Sequence, residues 1–251
     1  MRVTRDTWLV FLQAFGQTAR RPEILVVLLF QPVLFLFFFG PLLQNSLRGV
    51  PRDEVINLYV PGLMIQLALF GTLFACFSLT TELRAGVIER FRVTPISRLA
   101  LLLGRSLRDV AVLLIQELAL VLMALPLGLD VGPAALAQMF VMVGLFGLGI
   151  SAVSDGLAIT LRQDEVLGPL INAISLPLLL LSGILIPMTF APDWLEFVSR
   201  LNPMTYVVDA ARDIFAGTLT SGAVVAGMSI SAGLAVVSLV AVTRIFTRSV
   251  T

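Results

Sequence analysis

Six apolar runs, at about 23–43, 58–81, 101–127, 134–161, 166–186 and 223–242, take up most of this chain. About 20 apolar residues wound as an α-helix rise roughly 30 Å, the thickness of the hydrocarbon core of a bilayer. The runs are continuous rather than alternating, which argues against a β-barrel. Only 13% of the 251 residues are charged, where roughly a quarter is usual in a soluble domain. The fold class expected is therefore an all-α polytopic membrane protein with six transmembrane helices, a single domain over 1–251.

The chain has no Lys and no His; all seventeen basic residues are Arg. A Walker A loop needs its Lys on the phosphates, so this chain does not hydrolyse ATP by that route. Without His there is no HExxH zinc site and no Ser–His or Cys–His couple. Cys76 lies inside an apolar run and reads as a small packed residue. The chain is thus expected to be no enzyme and to bind no metal. A net charge of +1 gives no ground for a nucleic-acid partner. Its distribution does carry topology. Thirteen arginines fall at the termini and in the second and fourth loops, against four (Arg48, Arg52, Arg200 and Arg212) in the others. The positive-inside rule then puts both termini in the cytoplasm.

Three stretches outside the spans are amphipathic. Over 4–21, Trp8, Phe11, Leu12 and Phe15 recur at helical spacing, with Arg5, Asp6, Gln13 and Gln17 among them, the pattern of an interfacial helix. Packing on protein is the alternative for part of its length. The loop between the second and third spans holds Arg84, Arg90, Arg92, Arg98, Arg105 and Arg108, with Val87, Ile88 and Phe91 on one helical face. Pro95 closes that helix at Thr94. An orientation signal alone would need only the arginines; Gly86, the Glu89-Arg90 pair and the turn Thr94-Pro95-Ile96-Ser97 add a defined shape. Residues 187–217 are too broken by Pro187, Pro192 and Pro203 to span. They predict a hairpin of two short helices on the outer side, Trp194–Leu201 capped by Asp193 and Met204–Phe215, interfacial or re-entrant.

Taken together, Gly86-Val87-Ile88-Glu89-Arg90-Phe91, Thr94-Pro95-Ile96-Ser97, Leu181-Ser182-Gly183, Pro192-Asp193-Trp194-Leu195 and Leu201-Asn202-Pro203-Met204-Thr205-Tyr206 resemble the membrane subunit of type-2 ABC exporters. Within that group the chain is similar to daunorubicin-resistance-type drug-export permeases, and the resemblance covers essentially its whole length. It implies an N-terminal elbow helix at 4–21 and a cytoplasmic coupling helix at 84–98. That helix would seat in a separate ATPase subunit through Arg84, Gly86, Glu89, Arg90, Arg92, Thr94 and Pro95. ATP and Mg would be held by that partner, with two ATPase subunits serving two copies of the permease in a bacterial cytoplasmic membrane. The second and fifth spans would line the route, which nominates Gln66, Phe70, Phe74, Phe77, Asn172 and Ser175. The outer hairpin, with Trp194, Phe197, Asn202 and Pro203, would cap it.

An aromatic lining suits an apolar or amphipathic substrate, although each Phe facing lipid is the competing expectation. Export of a polysaccharide or glycolipid by the same family is a second reading, and a proton-coupled transporter using Glu117 a third. Glu117 lies roughly 18 Å past Arg105 along a helix. A charge that deep must face protein or water or be neutral, and pairing with a neighbouring helix is the simpler expectation. Asp155 is expected to pair with Arg162 and to be structural.

Overall fold

The computed structural model describes residues 2–20, 26–27, 29–31, 33–38, 51–84, 98–161, 163–184, 188 and 191–248. Among the described residues there is helix and no strand. In chain order these are α1 (Arg2–Ala19), α2 (Arg52–Leu73), α3 (Cys76–Arg84), α4 (Arg98–Ala124), α5 (Pro133–Leu161), α6 (Asp164–Leu181), α7 (Asp193–Ser199), α8 (Pro203–Phe215) and α9 (Gly222–Arg248). Five stretches are long and apolar enough to cross a membrane: Glu54–Arg84, Leu99–Leu127, Pro133–Leu161, Asp164–Leu181 and Gly222–Ile245. They coincide with five of the six expected spans. Of the first, only 26–27, 29–31 and 33–38 are described, all helical, and the rest of that expectation lies outside the described residues.

The second span begins at Arg52 rather than near 58. Asn57, expected in the preceding loop, is a helix residue that holds the far turn in place. Its amide donates to Asp130 O at 3.0 Å and accepts from Asp130 N at 3.1 Å. The same span is interrupted at Phe74-Ala75, where α2 gives way to α3. No Gly or Pro marks the break. Tighter backbone bonds carry it, Ala75 N to Thr72 O at 3.3 Å and Ser78 N to Ala75 O at 3.1 Å. Hydroxyls add to them: Ser154 of α5 donates to Leu73 O at 2.7 Å, and Ser78 to Ala75 O at 2.9 Å. Irregular backbone at this depth survives only when such groups replace the missing ladder.

α5 is the central helix, packed against α2, α3, α4 and α9. Its contact with α9 relies on absent side chains: a Cβ at Gly149 would lie 2.9 Å from Ala235 N, too close for backbone to yield. α1 lies along α4. A Cβ at Gly104 would lie 2.7 Å from Val10 and 2.9 Å from Thr7 O. Thr7 and Val10 therefore face protein, while Trp8, Leu9 and Leu12 are exposed. Packing on protein is thus seen for one face, and the other carries exposed apolar side chains.

The hairpin region has the two short helices expected, with a different cap on the first. α8 buries Val207, Val208, Ala210, Ala211, Ile214 and Phe215 in the same core as the spans, against α2 and α9. Amphipathicity there reports a core face. Asp193 is the first residue of α7 and caps nothing; Pro192 holds the cap position without a side-chain hydrogen bond. α7 itself is exposed, Trp194 and Phe197 each at 67%.

Candidate functional site

The aromatic stripe on α2 and α3 survives the break between them. Phe70 and Phe74 stack with centroids 6.0 Å apart, and so do Phe74 and Phe77. All three are half-buried against the core rather than turned wholly outward. α6 runs beside this stripe: a Cβ on Gly168 would lie 3.9 Å from Phe77 Cζ. Ser175, two turns further along the Gly168 face, is fully buried with its hydroxyl unpartnered among the described residues. Asn172, between them, is exposed. Gln66 is buried, and its carbonyl oxygen has no partner among the described residues. α6 thus meets the ring stripe at Phe77, and Gln66 and Ser175 add buried neutral polar groups on α2 and α6. Such a surface can hold an apolar body and offers a few hydrogen bonds to orient it.

Where α3, α4 and α5 meet, close to the ends of the 85–97 segment, the interior is ionic. Arg105 donates to Glu82 and lies 3.4 Å from Ser78 Oγ. Arg108 reaches Ser78 Oγ at 3.1 Å, Thr18 Oγ1 of α1 at 3.2 Å and Asp109 at 2.9 Å. Asp109 also accepts from Ser151 at 2.7 Å. Asp155 is buried in the same region, with neither oxygen hydrogen-bonded among the described residues. Two guanidiniums thus tie three helices together, and Asp109 adds α5 through Ser151. At the border of this web, Arg84 pairs with Asp164 at 3.0 Å and Glu165 at 3.7 Å, the first residues of α6.

At the opposite end the links are between side chains and backbone. The last carbonyls of a helix have no partner within it. On α6, Asn202 Nδ2 donates to Leu178 O at 2.8 Å, and the Thr205 hydroxyl lies 3.1 Å from Leu181 O. Arg212 donates to Gly183 O at 2.6 Å, where the chain turns at φ +75°. Asn202 also caps α8, accepting from Met204 N at 3.0 Å. Burial pulls the Arg212 guanidinium below its ordinary value, opposed by Asp209, and pushes the Asp209 carboxyl above its own. Pro203, predicted as part of the cap with Asn202, opens α8 and is exposed.

Residues 5–216 match the ABC-2 type transporter family. This chain belongs to that family. Among similar proteins, the daunorubicin resistance ABC transporter permease protein DrrB1 of Streptomyces coeruleorubidus is 27% identical over 86% of this chain and 77% of its own length. The ycf38 protein of Cyanophora paradoxa, named a transport permease, is 29% identical over 84% of this chain and 74% of its own length. The doxorubicin resistance ABC transporter permease protein DrrC of Mycobacterium tuberculosis is 24% identical over 82% and 75%. The chain is thus an ABC-2 permease with homologues among drug-resistance transporters, as the loop and hairpin motifs implied.

Of the residues nominated for ATPase coupling in this ABC-2 chain, Arg84 is described and faces α6; Gly86, Glu89, Arg90, Arg92, Thr94 and Pro95 lie outside the described residues. The ionic web was missed because its members come from separate runs. Asp155 stands out in the sequence only as an acid in an apolar helix; its expected partner, Arg162, lies outside the described residues. The expected pairing of Glu117 with a neighbouring helix is not seen: the residue is fully buried, and neither of its oxygens has a hydrogen-bond partner among the described residues.

Proposed function

We propose that this chain is the membrane subunit of an ATP-driven exporter that moves an apolar or amphipathic compound out of the cell. The observation that carries the proposal is the family match over 5–216 together with two drug-resistance permeases aligned over more than four-fifths of the chain. The uncharged Phe70–Phe74–Phe77 stripe beside α6 supports the substrate class. Energy would come from a separate ATPase subunit docked on 84–98, with Gly86, Glu89, Arg90, Arg92, Thr94 and Pro95 as its contacts, while Arg84 at the edge of that segment faces α6 instead. Two such subunits would serve a pair of permeases in a bacterial cytoplasmic membrane, both termini cytoplasmic and Trp194 and Phe197 over the outer mouth.

The test is affinity capture of tagged chain from its own membranes, followed by ATPase and transport assays. A co-purifying ATPase is expected, and Glu89→Ala or Arg90→Ala should lower transport about ten-fold or more while the chain still inserts. Normal transport by both variants would remove the coupling assignment. ATP hydrolysis by the chain alone would remove the permease reading. Glu117 supports a second reading, a proton-coupled transporter, because both its oxygens are buried and unpartnered among the described residues. Transport along a proton gradient with no ATPase present would favour it.

A further inference from the structure

We propose that Arg84, through Asp164 and Glu165, is the joint that carries movement from the α3–α4 end of the molecule into α6. Arg84 is the last residue of α3, and the two carboxylates are the first two residues of α6. Acidic groups at a helix N-terminus are favoured by its partial positive charge, which leaves them in place to receive a guanidinium from the neighbouring helix. The contact therefore joins two helix ends directly, across an interval of eighty residues in the chain.

What marks it as a joint is its contrast with the pair beside it. Arg105 is enclosed where it meets Glu82, and breaking such a pair strands a buried charge. Arg84 is 50% exposed where Arg105 is 6%, and of the two partners of Arg84, Asp164 is 33% exposed and Glu165 79%. A solvent-screened pair contributes little to stability and separates readily. The enclosed pair links α3 to α4 through Arg105. The screened pair can let go and engage again.

α6 is built to respond. Pro169 and Pro177 each delete a bond of its ladder. Val166, Ile174, Leu176 and Leu180 are exposed, and a single stripe, Leu167, Ile171, Ser175 and Leu179, packs along its length. Its other end is fastened to α8 by Asn202, Thr205 and Arg212. A helix fixed at one end and clipped at the other can pivot, and the clipped end carries Gly168, which faces Phe77. Arg84 is thus a positioning residue that sets the width of the aromatic seam. The inference rests on the ATP-driven reading above.

The test reads position, independent of any substrate. In a Cys76→Ser background, spin labels on Leu99→Cys of α4 and Val166→Cys of α6 report the distance between the two helices. The complex of chain and ATPase is compared without nucleotide and after trapping with ATP and vanadate. The nucleotide-driven distance change is expected to be largely lost in Arg84→Glu. It should return when Arg84→Glu is combined with Asp164→Arg and Glu165→Gln, with the ATPase co-purifying throughout. A change that ignores the sign of the charge at 84, or no change with Arg84 in place, overturns the joint and leaves the exporter reading standing. Loss of the ATPase from Arg84→Glu makes Arg84 a docking residue instead, and also overturns it. A wild-type chain that captures no ATPase removes the exporter reading and the joint together.

Discussion

The two ends of this bundle are tied by different chemistry. At the end bearing the 85–97 segment, α1, α3, α4 and α5 are linked side chain to side chain, through Arg105, Arg108, Glu82, Asp109 and three hydroxyls. At the hairpin end, Asn202, Thr205 and Arg212 of the α8 region bind backbone carbonyls at the C-terminus of α6. A carbonyl at a helix end stays wherever its helix puts it, so the second arrangement fixes geometry. Charged side chains can exchange partners, as Arg108 illustrates by reaching Ser78, Thr18 and Asp109 from one position. One end suits a fixed attachment and the other a set of alternative contacts.

The sharpest way to break the comparison is to empty the centre of the ionic web. Arg105→Leu leaves Glu82 without its partner and removes a positive charge from beside Asp109 and Asp155. Removing one member of a buried pair costs about 3–5 kcal/mol. The thermal midpoint of detergent-solubilised chain should fall by more than for any single change at the hairpin end. A midpoint close to wild type would mean that the web is hydrated, and that its charges contribute no more than surface pairs.

How much of this was legible in the sequence follows from the range of each interaction. Five spans are local properties, an apolar run of the right length, and hydropathy located them to within a few residues except at Arg52 and at Leu181, where the fifth ends short of 186. Asn202-Pro203 is also a local signal, a capping side chain followed by Pro at the first helical position, although the helix cap expected from the sequence is at Asp193 and none at Asn202. The break at Phe74-Ala75 has no such signal, since the Ser154 hydroxyl that supports it comes from 81 residues away. The Arg108–Thr18 contact spans 90 residues. For α8 the periodicity is legible and its partner is not. An apolar face at helical spacing has the same pattern whether it lies on lipid or on α9, and only the tertiary contacts separate the two.

The hairpin end yields a smaller effect. Asn202→Ala removes the α8 cap and the bond to Leu178 O in one change, and should cost about 1–2 kcal/mol. Limited proteolysis should show cleavage near 200–203 sooner than in wild type, with the web at the other end unaffected. Equal protection of the two would mean that the buried apolar face of α8 holds α6 by itself, and that the carbonyl contacts only finish the surface.

The smallest effect tests whether any charge at the hairpin end matters. Burial raises the Asp209 carboxyl above its ordinary value, partly offset by Arg212, so the fold holds that proton more tightly than the unfolded chain does. Stability from this group is then fully present below the unfolded carboxylate value, roughly 3.9, and is lost as pH rises through the raised one. At neutral pH the ionised carboxylate is a mild liability, and its 54% exposed side chain keeps that liability small. Asp209→Asn should therefore be more stable than wild type at pH 7 by no more than about 0.5 kcal/mol. The two should converge as the pH is lowered toward 4, where the wild-type carboxyl also becomes neutral. A variant less stable than wild type at pH 7 would reverse the sign. The 3.9 Å contact with Arg212 would then outweigh the burial of the carboxylate, making the hairpin end ionic after all.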